Sequence, residues 1–290
     1  MSIEINFRVA MRDAGIPTEA PIVGDSELHR VHVEGDRPGT INGWYVLHTG
    51  THPAGAFGCN KRGISDRWRA NNSASNAAFS PVHRELIEAQ RKARAMEQER
   101  GYNAAAERAG KILHAATGDA SKHAYITRKN IPTFGVHSNR DDVLVVPIYN
   151  ARTGLLQSLQ FINVDGQKRM LTGGRLSTGC FPLRHTSESF RRAAAVRIGV
   201  GEGYATTASL AHVLGDSVAM FSALSASNLI KVATALREHY PNAEITIYSD
   251  NDQNEVGQTA AIKAAIAVNG FVAIPPIVGT DWNDALKAAA

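Results

Sequence analysis

Cysteine is nearly missing from this chain of 290 residues: Cys59 and Cys180 stand far apart, and no Cys-x-x-Cys pair occurs. Two such residues can assemble neither a disulfide framework nor a zinc ribbon. Long apolar runs are missing too, since no stretch approaches the ~18 consecutive apolar residues of a membrane span. The start of the chain carries Glu4, Arg8, Arg12 and Asp13 where a secretory signal needs an apolar run of about 7–15 residues. A soluble, cytoplasmic protein without zinc or a membrane partner is expected.

What is present is ordinary in total and uneven in distribution. Hydrophobic residues make up 43% and charged residues 20%, which are globular values, and the length suits two or three domains of about 150 residues or fewer. The net charge is only +4. Residues 1–121 hold 15 Lys and Arg against 14 Asp and Glu, residues 122–200 hold 12 against 4, and residues 201–290 hold 4 against 9. A basic segment that suits a polyanion is thus followed by an acidic one that suits cations.

The pattern of elements divides the chain into residues 1–78, 79–120, 121–195 and 196–290. The first part reads as a small β meander, with Arg30–Val33, Gly43–His48 and Ala56–Gly58 as β-prone runs between turn clusters. Pro81 to Thr117, rich in Ala, Glu, Arg and Gln, reads as a helical hairpin or a kinked helix broken at Gly101-Tyr102-Asn103, with Ser80 as cap. Residues 122–185 return to strands, at Val143–Ile148, Leu155–Val164 and Gln167–Leu171. Gly173-Gly174 and Gly179 are expected to bare the backbone for a ligand. From Val196 onward strand and helix alternate four times, the pattern of a parallel sheet with helices on both faces. Ligands of such sheets sit beyond the carboxyl ends of the strands.

Acidic residues gather at those ends. Glu202 follows the first of these strands, Asp250 and Asp252 the third, Asp281 and Asp284 the fourth. Neighbouring carboxylates raise one another's pKa, a cost that cations remove. Mg²⁺ suits them, because it prefers carboxylate oxygen and keeps waters that a phosphate can replace, and two such ions serve in-line phosphoryl transfer. Asp281 has a second reading, as cap of the last helix.

These residues resemble a family. Glu202-Gly203 after the first strand and Asp250-Asn251-Asp252 after the third resemble the Toprim domain of bacterial primases, topoisomerases and some nucleases. Glu202-Gly203-Tyr204-Ala205-Thr206-Thr207 is similar to the Glu-Gly-Tyr-Ala-Thr-Ala stretch of conjugative-plasmid and satellite-phage primases, departing only at Thr207. Asp281-Trp282-Asn283-Asp284 resembles the closing Asp-x-Asn-Asp of that group, and Asp165-Gly166-Gln167-Lys168 resembles the basic subdomain before it. Gly43–His48 and Pro53–Gly58 look like the front of phage and plasmid primase-helicases.

The resemblance implies an α/β Toprim domain with a four-stranded parallel, Rossmann-like sheet, preceded by a basic α+β subdomain and a small β-rich and helical N-terminal region. It implies a DNA primase that joins ribonucleoside triphosphates on a single-stranded DNA template, with a helicase in cis or in trans. Mg²⁺ or Mn²⁺ is then held by Glu202, Asp250 and Asp252, with Asp281 and Asp284 as outer ligands, and Glu202 is the choice of base. Lys168, at the family's Asp-Gly-x-Lys position, joins Arg169, Arg175 and Arg140 as candidates for triphosphate and template phosphates. Arg191, Arg192 and Arg197 either track template or solvate a helix. Two alternatives remain: a Toprim nuclease, and a non-catalytic single-stranded-DNA-binding module. Without a zinc ribbon, template reading falls to residues 1–120 or to a partner. The chain ends directly after the last helix, as an isolated primase or the front of a primase-helicase.

Overall fold

Ser2 starts the first helix: its Oγ accepts a hydrogen bond from the Ile5 amide and caps α1 (Ile3–Asp13). The structure, a computed structural model, describes residues 2–50, 53–70, 81–183 and 197–289. The chain divides into two units, Met1–Arg84 and Glu85–Ala290. In the first, the i, i+4 spacing of Phe7 and Met11 gives α1 a buried face. The Phe7 ring meets Tyr45, Phe57 and Trp68 edge-on at 5.9, 5.5 and 5.3 Å. These contacts fix α1 on an antiparallel sheet of β1 (His29–Val31), β2 (Gly43–His48), β3 (Ala54–Cys59) and β4 (Ile64–Arg69), in that order. The meander expected from the sequence thus carries a helix and a fourth strand that the β-prone runs did not indicate.

Helix α2 (Pro81–Ala115) runs through Gly101–Asn103 without the expected break. One glycine in a helix interior costs about 1 kcal/mol, too little to end 35 residues of otherwise helix-favouring sequence. The proposed Ser80 cap lies outside the described residues. Near its end α2 packs Ala109, Ile112 and Leu113 on Val145 and Leu159.

Those two residues belong to a nine-stranded sheet that dominates the second unit. Its strands are β5 (His137–Ser138), β6 (Leu144–Asn150), β7 (Leu156–Ile162), β8 (Lys168–Met170), β9 (Gly179–Pro182), β10 (Arg197–Gly201), β11 (Ala219–Ser222), β12 (Glu244–Tyr248) and β13 (Phe271–Ala273). The order is β13-β12-β10-β11-β9-β6-β7-β8, with β5 also on β6. The four strands β13-β12-β10-β11 are mutually parallel. Strand β9 pairs antiparallel with β11 through Phe221↔Pro182 and with β6 through Tyr149↔Cys180. It therefore fuses the parallel strands and the antiparallel hairpin into one sheet, where the sequence suggested separate subdomains.

Helices cover both faces. Helices α5 (Leu229–His239) and α6 (Val256–Val268) bury Val232, Leu236, Ala261 and Ala264 against Ile198, Val200, Ile245 and Ile247. Helices α3 (Ala124–Lys129), α4 (Tyr204–Leu214) and α7 (Trp282–Ala289) lie with the second core, where Ile126, Tyr204 and Ala208 join Leu144, Val146, Ile148 and Met220. Among the described residues no helix is long and apolar enough to cross a membrane.

Of the three glycines expected to bare the backbone, Gly174 and Gly179 serve packing, whereas Gly173 makes a turn at φ 75° with only Arg108 nearby. A Cβ on Gly174 would stand 2.0 Å from Ser158 Oγ, and one on Gly179 would stand 2.5 Å from Ile148 Cγ2. Both press the 171–179 segment onto the hairpin.

Candidate active site

The parallel register sets the site. Gly201, the last residue of β10, pairs with Tyr248, the last of β12. Glu202 and Asp250 therefore leave the sheet side by side, one and two residues on. A Cβ on Gly201 would meet Thr207 Oγ1 at 2.3 Å, so only glycine lets α4 begin this close to the strand. Thr207 returns a hydrogen bond to the Gly203 carbonyl at 2.7 Å, which explains how a hydroxyl is accommodated at this buried position.

The third acid arrives through its own loop. Asn251 donates from Nδ2 to the Pro275 carbonyl at 2.8 Å and accepts from Gln258 Nε2 at 3.0 Å. This middle residue is thus consumed in bracing the loop, which leaves Asp250 for the cleft and Asp252 exposed beside it. A Cβ on Gly257, in the first turn of α6, would lie 3.2 Å from Glu202 Oε2 and 3.4 Å from Asp252 Oδ2. Two carboxylates of different loops therefore converge on the one helix position that has no side chain.

The electrostatics record this crowding. Glu202 is pushed up to about 7, by burial first and then by Asp250 and Asp252, with Lys168 and the Ala226 amide opposing. Asp250 is pushed up to about 6, by burial and Asp281, while a hydrogen bond from Thr206 Oγ1 at 3.3 Å pulls it down. Glu202 Oε2 is buried without a hydrogen-bond partner. An orphaned buried carboxylate oxygen beside two more acids is costly as an anion, and it is the donor chemistry that a hard cation satisfies. Among the described residues, no group of three or more His, Cys, Asp or Glu side chains already stands close enough to hold a metal ion.

A cleft of about 370 Å³ opens over Glu202 and Asp250, lined also by Tyr125, Arg128, Lys129, Asp165, Lys168, Thr206 and Asp281, whereas Asp252 is exposed and does not line it. Lys168 reaches it although β8 and β10 lie far apart in the sheet order. Its Nζ comes within 3.6 Å of where a Cβ on Gly203 would sit. Arg169 and Arg140 are exposed and do not line the cleft. Arg175 is held elsewhere, ion-paired with Glu99 and stacked over Tyr102 at 4.4 Å. Arg197 faces Glu244 at 3.5 Å, and Arg191 and Arg192 lie outside the described residues.

Asp281 takes the capping role. Its Oδ1 accepts from the Asp284 amide at 2.8 Å, and its Oδ2 accepts from Lys129 Nζ at 3.0 Å. Lys129, Arg128 and Tyr125 were not picked out from the sequence. Their signal is faint: a basic pair ending a six-residue helix, read as part of the general basic character of the segment.

Comparison with known proteins matches residues 197–290 to the Toprim domain family. Over 285 residues the chain is 33% identical to a DNA primase TraC of Escherichia coli, covering 94% of this chain and 26% of that protein. A second DNA primase TraC of Escherichia coli is 32% identical over 284 residues, covering 93% and 19%. The chain thus spans about a quarter or less of the length of these curated relatives. Among solved structures, the DnaG primase catalytic domain bound to single-stranded DNA is 12% identical with a TM-score of 0.46, over 67% of this chain and 78% of that one. The primase fragment of the bacteriophage T7 primase-helicase protein is 17% identical with a TM-score of 0.45, over 58% and 70%. Strand register, acid placement and family match agree that residues 197–290 are a Toprim domain.

Proposed function

We propose that the chain carries the catalytic portion of a DNA primase, which makes short RNA primers on single-stranded DNA by divalent-metal-dependent nucleotidyl transfer. The observation that carries this reading is the meeting of Glu202 and Asp250 with the Lys168 ammonium in one cleft at the carboxyl ends of β10 and β12, with Asp252 beside Glu202 over Gly257. The similarity to DNA primases over nearly the whole chain supports it.

Each group has a task in this reading. Glu202, Asp250 and Asp252 hold Mg²⁺ or Mn²⁺, which when bound neutralises triphosphate charge and favours ionisation of the attacking 3′-hydroxyl. Thr206 fixes one oxygen of Asp250 by donating to Oδ1. Burial, Asp250 and Asp252 raise Glu202 toward neutrality without metal, so a bound cation would hold it as the ligating anion. Lys168 is a mobile point charge for the triphosphate. The first turn of α4, where Gly203, Ala205 and Thr206 line the cleft, points free amides toward the same phosphates.

The test is incubation of the chain with single-stranded DNA, labelled ribonucleotides and Mg²⁺. Template-dependent oligoribonucleotides without DNA cleavage support the reading. Cleavage without synthesis replaces it with the nuclease, and binding with neither leaves a non-catalytic DNA-binding module.

A further inference from the structure

The five acids at the sheet edge are not equivalent. Glu202 Oε2 has no hydrogen-bond partner, whereas both oxygens of Asp281 are taken, one by the Asp284 amide and one by Lys129 Nζ. Lys129 also stands 3.9 Å from Asp284 Oδ1, so one ammonium faces both carboxylates of the Asp281-Trp282-Asn283-Asp284 segment. The Lys129 and Asp281 side chains are only 24% and 21% exposed, which limits screening by water.

The ammonium has little freedom to leave, because the end of α3 is fastened to α7. The last carbonyls of a helix lack partners within the helix. Here Asn283 Nδ2 donates to the Lys129 carbonyl at 2.7 Å and Lys287 Nζ to the Arg128 carbonyl at 2.8 Å. Asn283 Nδ2 also donates to Ser209 Oγ on α4 at 2.7 Å, tying the same corner to the helix that follows Glu202. Asn130 closes α3 in the left-handed region at φ 51°. The backbone of Lys129 is thus pinned where its side chain meets Asp281.

We propose that Lys129 is a resident counter-ion that takes Asp281 and Asp284 out of the metal-binding set, so that divalent cations are held by Glu202, Asp250 and Asp252 alone. The inference rests on the metal-dependent reading above. It assigns Lys129 a positioning role: a fixed monovalent charge occupies the outer end of the acidic edge and divalent ions gather at the inner end.

The test is Mn²⁺ binding by electron paramagnetic resonance and calorimetry, with no nucleotide or template present. The charge-conserving double variant Lys129→Met/Asp281→Asn is expected to keep the wild-type Mn²⁺ stoichiometry. The single variant Lys129→Met frees both carboxylates and is expected to add a Mn²⁺ equivalent, while Lys129→Arg keeps the wild-type count. Loss of a Mn²⁺ equivalent by the double variant makes Asp281 a metal ligand and overturns the inference. An unchanged Mn²⁺ count in folded Lys129→Met overturns it as well. Asp250→Asn reports on the underlying reading separately: if it leaves Mn²⁺ binding unaltered, the metal site itself is misplaced, whatever Lys129 does.

Discussion

Thr206, in the first turn of α4, donates from its hydroxyl to Asp250 Oδ1 across 3.3 Å. This bond joins the helix after β10 to the loop after β12, and it opposes the burial and the Asp281 charge that raise Asp250. Replacing Thr206 with Val keeps the shape and removes the bond. Primer synthesis should fall about tenfold, and the pH at which Mn²⁺ binding is half-maximal should move up. Equal pH midpoints for variant and wild type would show that the hydroxyl does not control Asp250.

Gly257 is a more selective probe. A Cβ there would stand 3.2 Å from Glu202 Oε2, 3.3 Å from Ser249 Oγ and 3.4 Å from Asp252 Oδ2. Alanine is favoured over glycine in helices by about 1 kcal/mol, so Gly257→Ala should leave the melting temperature unchanged or raised. The same methyl crowds Glu202 Oε2, while Asp252 Oδ2 stays at ordinary contact distance, and Mn²⁺ affinity should drop about tenfold. Thermal melts and calorimetry on one preparation separate the two effects.

The pH dependence of stability has a definite sign. Glu202 moves from an ordinary 4.5 to about 7 in the folded chain, so between those values the native state keeps a proton that the unfolded chain has released. Its favourable contribution is full below the lower value and is lost as pH rises through the higher one. Glu202→Gln cannot ionise and should exceed metal-free wild type in stability at about pH 8 by roughly 1–3 kcal/mol. Near pH 4 the advantage should vanish, and saturating Mn²⁺ should favour wild type. Denaturant unfolding at both pH values, with and without metal, checks all three outcomes.

Asn283 is buried and donates to the Lys129 carbonyl and to Ser209 Oγ. Asn283→Ala strands both acceptors and should cost about 1–3 kcal/mol, read as a lowered melting temperature. Asn283→Asp should fare no better, because a buried carboxylate cannot donate to either oxygen. A melt unchanged in both variants would mean that α7 does not depend on this bolt.

How much of this was legible in the sequence depends on how local the cause is. Alternation of strand and helix from Arg197 onward is written in the residues, and helix Tyr204–Leu214 falls where the pattern put it. Helix α1 was overlooked although Ser2 and the Phe7 and Met11 spacing mark it, because the β-prone runs that follow dominate the region. Strand β4 has only Ile64 and Trp68 facing inward among polar neighbours, too sparse a signal. Strand β9 is four residues long and is defined by partners far along the chain, so no local pattern announces it. The site divides in the same way. The acids stand at strand ends that periodicity locates, whereas the Lys129 ion pair joins residues 152 positions apart. Arg175 reads as a phosphate contact until Glu99 and Tyr102 are seen to hold it.

The central claim is that Glu202, Asp250 and Asp252 form a metal-dependent polymerising site. The measurement that tests it most directly is primer synthesis from labelled ribonucleotides on single-stranded DNA, by wild type and by Asp250→Asn/Asp252→Asn, with template affinity measured alongside. The account predicts Mg²⁺- or Mn²⁺-dependent synthesis by wild type, and loss of synthesis with retained template binding in the variant. Synthesis by the folded variant at the wild-type rate would contradict it.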